Sequence, residues 1–157
     1  MAYETIEFKL EAGVACDLVL ARRSAKFVQA FGAIGLIPDA GGTWSLPHLI
    51  GQARALGFTL TGESLAADTA EKWGLIWKAI DDAAFDSEVE RLVDRLAHAP
   101  TVSLAAAKRA IRGAWYATLD EQLEIERALQ RKCGLSEDYK EGVSAFKARR
   151  TPNFTGR

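Results

Sequence analysis

The sequence predicts an α/β chain in two parts: strands mixed with helices over residues 1–80, and helices almost alone over residues 81–157. Three observations predict it. At the start, Ile6, Phe8 and Leu10 alternate with Thr5, Glu7 and Lys9, the period of a half-buried strand. Leu18-Val19-Leu20-Ala21 is a continuous apolar run, the pattern of a strand buried on both faces. From Phe85 onward, apolar residues recur three and four apart, the spacing of one helix face.

The elements follow in order. Tyr3 to Leu10 reads as a strand, Glu11-Ala12-Gly13 as a turn, and Val14-Ala15 as the start of a return strand. Lys26 to Gln29 reads as another short strand. Gly41-Gly42-Thr43 opens a helix carrying Trp44, Leu46, Leu49 and Ile50, and Pro47 must sit in its first turns or bend it. Ala53 to Leu60 is a second helix, stopped by Thr61-Gly62. Ala66 to Trp73 is a third, with Gly74 positioned to end it in a left-handed conformation. Leu75 to Ile80 reads as a strand. Phe85, Val89, Leu92, Val93 and Leu96 then form one helical stripe that Pro100 ends. Leu104, Lys108, Ile111 and Trp115 mark the next helix. Thr118 and Glu121 have the spacing of a capping box for a helix through Leu119, Leu123 and Leu129. Ser136 caps a last helix through Tyr139, Val143 and Phe146. Thr151-Pro152-Asn153-Phe154 reads as extended or irregular chain.

Composition narrows the function classes. The chain has 157 residues and a formal net charge of −1, so charge gives no reason to expect nucleic acid or an anionic membrane as partner. No apolar run is long enough to cross a bilayer, and MAYETIEFKLEAG lacks the apolar core of a signal peptide. Cys16 and Cys133 make no disulfide framework, and a reducing cytoplasm is the simplest setting. His48 and His98 lie far apart, with no metal-like spacing, so no metal is expected.

One stretch invites a chemical reading. In GLIPDAGGTWSLP, Asp39 follows Pro38 and precedes two glycines. Asp is a favoured helix N-cap, and that plain reading stands beside a functional one. The functional one needs a carboxylate at a loop-to-helix junction in an apolar pocket, with Ile34, Leu36, Ile37 and Trp44 supplying the walls. Desolvation would strengthen such a base, and a helix N-terminus would weaken it. The glycines would let a bulky ligand approach the backbone.

FVQAFGAIGLIPDAGGTWSLPHLIG resembles the central signature of the crotonase, or enoyl-CoA hydratase/isomerase, superfamily. LTGESLAADTAEKWGLIWKAID and YKEGVSAFKARRTPNFTGR resemble the segments that follow it there. The likeness runs from Cys16 to Arg157, and Tyr3 to Ala15 resembles the family's first strand and turn. Within the family, IPDAGGTW, WGLIW and EGVSAF are most like the isomerases of phenylacetate breakdown. The fold implied is part of a ββα spiral core followed by a C-terminal helical oligomerisation region.

The resemblance also implies chemistry. Hydratases of the family carry a glutamate where FVQAF places Phe31, and a phenyl ring cannot transfer a proton. The family's double-bond isomerases carry their carboxylate at the position of Asp39, which would act as acid and base on a CoA thioester. Phe31, Ile34, Pro38 and Trp44 would line the acyl group, although Phe31, Ile34 and Trp44 are equally explained as core. Phe146 and Lys147, on the last helix, would meet CoA, although a solvated lysine explains Lys147 as well. No cofactor is implied beyond the CoA of the substrate. The partners implied are further copies of the chain, as a trimer or hexamer, and an enoyl-CoA hydratase of the same pathway. A hydratase, or a non-catalytic helical oligomerisation module, are the alternatives.

In the family, several ββα turns separate the first strand from the segment resembling CDLVLA. Here Ala15 is followed directly by Cys16. The intervening region normally supplies both backbone N–H groups of the oxyanion hole and most of the CoA pocket. Either the polypeptide carries an internal deletion, or the sequence passes over a region that lies between these residues.

Overall fold

The structure is a computed structural model that describes residues 16–157. The strand expected over Tyr3–Leu10, its turn and the return at Val14–Ala15 lie outside the described residues. The chain divides into two compact units, with the boundary between Val89 and Glu90.

The first unit is built from short strands and three helices. Strand β1 (Leu20–Arg22) pairs in parallel with β4 (Lys78–Ile80), placing Leu20 opposite Lys78 and Arg22 opposite Ile80. Strand β2 (Lys26–Phe27) pairs antiparallel with β3 (Leu65–Ala66). Helices α1 (Gly42–Ile50), α2 (Gln52–Thr61) and α3 (Ala67–Trp73) supply the rest. Leu46 and Ile50 of α1, Ala55 and Phe58 of α2, and Ala67 and Ala70 of α3 bury their side chains with Phe27, Leu65, Leu75 and Ile76. Each large side chain among them contributes about 1.5–3 kcal/mol by leaving water. Helix α3 ends where Gly74, at φ 83°, turns the chain, and a Cβ there would sit 3.4 Å from the Leu49 carbonyl oxygen.

The turn after β1 is tied by charge. Arg22 reaches the Asp86 carboxylate at 2.7 Å and the Asp82 carbonyl at 2.8 Å, with its guanidinium 4.5 Å from the centre of the Phe85 ring. Arg23 pairs with Asp81 at 2.6 Å and with Asp68. Ser24 donates from its backbone and its hydroxyl to Asp82, which holds that carboxyl below its ordinary range. These groups are exposed, so each pair adds little to stability but fixes the geometry of the turn.

The strands are shorter than the sequence suggests. The run Leu18–Ala21 was expected to be buried on both faces; instead Leu18 is exposed, Ala21 is buried, and β1 has one strand neighbour among the described residues. Lys26–Gln29 pairs only over Lys26–Phe27. Leu75 and Ile76 donate back to the Ala70 carbonyl at the end of α3, so the strand expected from Leu75 begins at Lys78.

The second unit is helical. Helix α4 (Phe85–Ala97) runs through the boundary and is followed by α5 (Thr101–Gly113), a 3-10 turn over Ala114–Tyr116, α6 (Leu119–Gly134) and α7 (Glu137–Ala148). The capping box forms as its spacing predicts. The Glu121 N–H donates to the Thr118 hydroxyl at 3.4 Å, and the Thr118 N–H donates to the Glu121 carboxylate at 2.8 Å. Ser136 caps α7 by accepting from the Tyr139 N–H at 3.1 Å. Gln122 donates to the Ala110 carbonyl at 3.2 Å and so links α6 to α5. Residues 149–157 are irregular, as the sequence predicts.

Candidate active site

The segment Phe31–Trp44 leaves the core of the first unit, makes a loop and returns as α1. It begins with a 3-10 turn over Phe31–Ile34, closed by Gly35 at φ 74°. The Leu36 N–H donates to the Phe31 carbonyl at 2.9 Å. A Cβ on Gly32 would lie 4.0 Å from the Thr59 carbonyl oxygen, which sets this turn against α2. Pro38 is buried and anchors the loop, while the next residue, Asp39, is exposed.

Two consecutive left-handed residues then redirect the chain: Ala40 at φ 47° and Gly41 at φ 87°. Gly tolerates this region freely, whereas a residue with a Cβ is held there at a cost of about 1 kcal/mol. The turn is closed by the Gly42 N–H donating to the Asp39 carbonyl at 2.8 Å. The Ser45 hydroxyl and the Trp44 and Ser45 N–H groups all donate to the Gly41 carbonyl. The N-cap of α1 is therefore Gly41, with no side-chain cap, and the plain reading of Asp39 as the helix cap is corrected. Two left-handed residues stand between Asp39 and the helix, so its carboxylate is not where a cap must be.

The apolar pocket expected around Asp39 is also corrected. Ile34, Leu36 and Ile37 are exposed, Ile37 at 76%, and Trp44 is 43% exposed. No described part of the chain covers that side of the loop. The Asp39 carboxylate has no hydrogen bond or ion pair with the described residues. Phe31 is half-buried. Phe31, Ile34, Pro38, Asp39 and Trp44 thus lie on one loop-to-helix segment of the first unit. Phe146 and Lys147 lie on α7 of the second, where Phe146 is 85% exposed.

One feature of this segment escapes the pattern reading. The Trp44 ring stacks on the His48 imidazole, with centroids 4.4 Å apart and planes 30° apart. The His48 Nδ1 lies 2.6 Å from the Trp44 carbonyl oxygen, so it is the proton-bearing nitrogen. The i, i+4 spacing of the two rings was the available signal. Cavities lie elsewhere as well. One of about 380 Å³ is bordered by Arg54, Phe58, Glu63 and Trp73, and one of about 780 Å³ lies between α5 and α6, bordered by Leu104, Ile111, Leu123 and Cys133. Among the described residues, no three His, Cys, Asp or Glu side chains are grouped to hold a metal.

Chemically, the loop offers a carboxylate on a backbone fixed by a buried proline and a hydrogen-bonded left-handed turn, flanked by uncovered apolar side chains. An acyl group laid on those side chains would exclude water beside the carboxylate, which favours proton transfer to carbon.

Comparison with known proteins agrees with the sequence. The profile of the family described as Enoyl-CoA hydratase/isomerase matches residues 10–157. The chain is 52% identical over 141 residues to the 1,2-epoxyphenylacetyl-CoA isomerase of Escherichia coli K12, covering 90% of this chain and 54% of that relative. It is 45% identical over 144 residues to a "probable enoyl-CoA hydratase" of Rhodobacter capsulatus, covering 92% of this chain and 56% of the relative. The crystal structure of an enoyl-CoA hydratase from Bacillus anthracis superposes with a TM-score of 0.89 at 30% identity, over 94% of this chain and 57% of that one. The chain spans about half the length of the relatives it matches.

Proposed function

The chain belongs to the enoyl-CoA hydratase/isomerase family, and from that premise we propose that it carries the acid–base half of an acyl-CoA isomerase. One observation carries this reading. Asp39 is exposed on the loop beside uncovered apolar side chains, and the family resemblance aligns Phe31 with the proton-transferring glutamate of the hydratases. Asp39 takes a proton from the carbon next to the thioester carbonyl. The electrons move onto the carbonyl oxygen, and the same carboxyl group returns the proton two carbons further on, turning a 3-enoyl thioester into the 2-enoyl isomer. With a ring epoxide of phenylacetyl-CoA, the same proton traffic accompanies ring expansion to the oxepin. The 52% identity to an epoxyphenylacetyl-CoA isomerase supports the second substrate. Phe31, Ile34 and Trp44 contact the acyl group, and Pro38, buried in the loop, positions them rather than touching it. Phe146 and Lys147 contact CoA, and the reaction needs no metal or further cofactor.

The enolate oxygen needs two N–H donors, commonly the largest stabilising contribution in such reactions. The family resemblance assigns them to the region that would lie between Ala15 and Cys16. The 17.1 kDa chain is therefore expected to show no turnover by itself. An intact mass followed by assay of a 3-enoyl-CoA checks this, and measurable turnover at that mass refutes it. The reading itself is tested by a chimera that joins residues 16–157 to the part of the E. coli relative this chain does not match. The chimera should isomerise the 3-enoyl and epoxyphenylacetyl thioesters and leave crotonyl-CoA unhydrated. Asp39→Asn should lower kcat by about 10²–10⁴. Hydration of crotonyl-CoA, or unchanged turnover in Asp39→Asn, would sink it.

Assembly as a trimer or hexamer, action alongside an enoyl-CoA hydratase of the same pathway, and a cytoplasmic setting belong to the same proposal. The uncovered apolar side chains of α5 to α7 support self-association, and sedimentation of the chimera would measure it. No helix among the described residues is long and apolar enough to cross a membrane.

A further inference from the structure

Beyond the isomerase reading, and independent of it, residues 149–157 are tied to α7 by hydrogen bonds and by ring packing. Asp138, in the first turn of that helix, is a carboxylate only 3% exposed. It accepts from the Thr155 N–H at 2.7 Å and from the Gly156 N–H at 3.0 Å, while its own N–H donates to a backbone oxygen of Arg157 at 3.0 Å. One turn further along, Glu141 accepts from both ends of the Arg150 guanidinium, at 2.5 and 2.8 Å, and from the Asn153 N–H at 2.8 Å. The Phe154 ring lies against Gly142, where a Cβ would come within 3.5 Å of it. Gly156 lies against Thr101, the first residue of α5, so closely that a Cβ would clash with the threonine hydroxyl.

The helix end is bound into the same arrangement. Arg149 is left-handed at φ 51°, a conformation that glycine usually supplies at this place. The Arg149 N–H donates to the Phe146 carbonyl at 3.2 Å, and the Arg150 N–H to the Ala145 carbonyl at 3.0 Å. The Glu141–Arg150 clamp sits next to this strained residue and holds the chain in the turn.

We propose that residues 150–157 form a strap that opens and closes on α7 as one unit, latched by Asp138 and Glu141, and that its closure fixes the last turn of that helix. Closing it satisfies three backbone N–H groups with two carboxylates that lie on the same side of one helix. Asn153, held by Glu141, and Thr155, held by Asp138, are two residues apart on the same short segment, so the two latches release together. The last turn of α7 carries Phe146 and Lys147, so the state of the strap sets how those side chains are presented.

Limited trypsin digestion of the full chain tests this. In the closed strap the Arg150 side chain is held by Glu141 and cannot enter the protease, so release of the peptide Thr151–Arg157 follows the population of the open state. Asp138→Asn and Glu141→Gln should each speed that release roughly tenfold, the size expected for losing a hydrogen bond to a charged group. Cleavage after Arg131 and Lys132 in α6 should not change. In Asp138→Asn, amide exchange should rise at Arg149 and Arg150 together with Thr155 and Gly156. Asp138→Asn is the decisive variant, because Asp138 bonds Thr155 and Gly156 and not Arg150. Unaltered cleavage after Arg150 in that variant, or faster exchange at Thr155 and Gly156 alone, would show piecewise fraying and overturn the proposal. Ser136→Ala, which weakens the cap of α7 without touching the strap, should leave the release rate within about twofold; an increase matching that of Asp138→Asn would show that general helix loss explains both.

Discussion

The two units solve the same stability problem with different means. The first buries Phe27, Leu46, Ile50, Phe58, Leu65, Leu75 and Ile76 against one another. In the second, Leu92 and Ala145 are the buried apolar residues among those described, while Ile111, Tyr116, Leu119, Leu135 and Phe146 are exposed. What holds the second unit's geometry is polar and local: the Thr118–Glu121 box, the Ser136 cap, and the carboxylates that grip residues 150–157. A unit with a core of its own can present a strained loop such as Ala40-Gly41. A unit without one keeps its helices by their ends and leaves its apolar faces available for cover.

Four perturbations test this contrast. The largest effect is expected for Leu46→Ala, which empties a 2%-exposed position and should cost about 2–5 kcal/mol in denaturant unfolding of the first unit. A loss below about 1 kcal/mol would mean that this core is not what holds the unit. Next, Thr118→Ala removes the cap of α6 and should cost about 1 kcal/mol, seen as faster amide exchange in its first turn. If exchange there is unchanged, the helix ends are not what holds the second unit.

Acid comes third. Glu141 is lowered from the ordinary 4.5 to about 2, chiefly by its hydrogen bonds from Arg150, then by the Asn153 N–H. A depressed carboxyl stabilises the folded form above its unfolded value and loses that contribution as protons bind. Strap protection should therefore be full above about pH 4.5 and vanish as pH falls toward 2. Glu121 is lowered too, by its hydrogen bonds from Thr118, so the cap of α6 weakens on the same side of the scale. Amide exchange measured from pH 6 to 3 should show the second unit loosening while the Leu46 neighbourhood holds. The reverse order would invert the comparison. The smallest effect is expected for Phe146→Ser, which should alter the stability of the monomer by no more than about 0.5 kcal/mol because the ring is in water already. A larger loss that grows with protein concentration would reveal that the ring is covered in an assembly.

Much of this was legible in the sequence, and the reason is range. Helix ends are decided within four residues, so Thr118, Ser136 and Gly74 announce their roles. The family resemblance, carried by the stretch around IPDAGG and by the last helix, holds across the matched chain. Strands were less legible. Leu18–Ala21 has the composition of a doubly covered strand, yet covering needs neighbours from elsewhere in the chain, and β4 is the neighbour the described residues supply. The loop at Asp39 was half legible. Its carboxylate and apolar neighbours show in the residue types, but the left-handed Ala40 that separates Asp39 from the helix shows in no composition. The latches Asp138 and Glu141 were missed for the same reason: each serves residues at least nine positions ahead, and acidic residues in the first two turns of a helix are common enough to explain themselves.

The parallel pairing of β1 with β4 has a kinetic consequence. Arg23 and Asp81, joined across that pairing, are 58 residues apart in sequence. Closing so long a loop costs conformational entropy before any contact returns it, and pairing across distance slows folding. The helices beyond Glu90 follow one another through connections of a few residues and can form in microseconds to milliseconds. The slow step in folding should therefore belong to the unit that ends up better packed, so helices with bare apolar sides form before the sheet is complete.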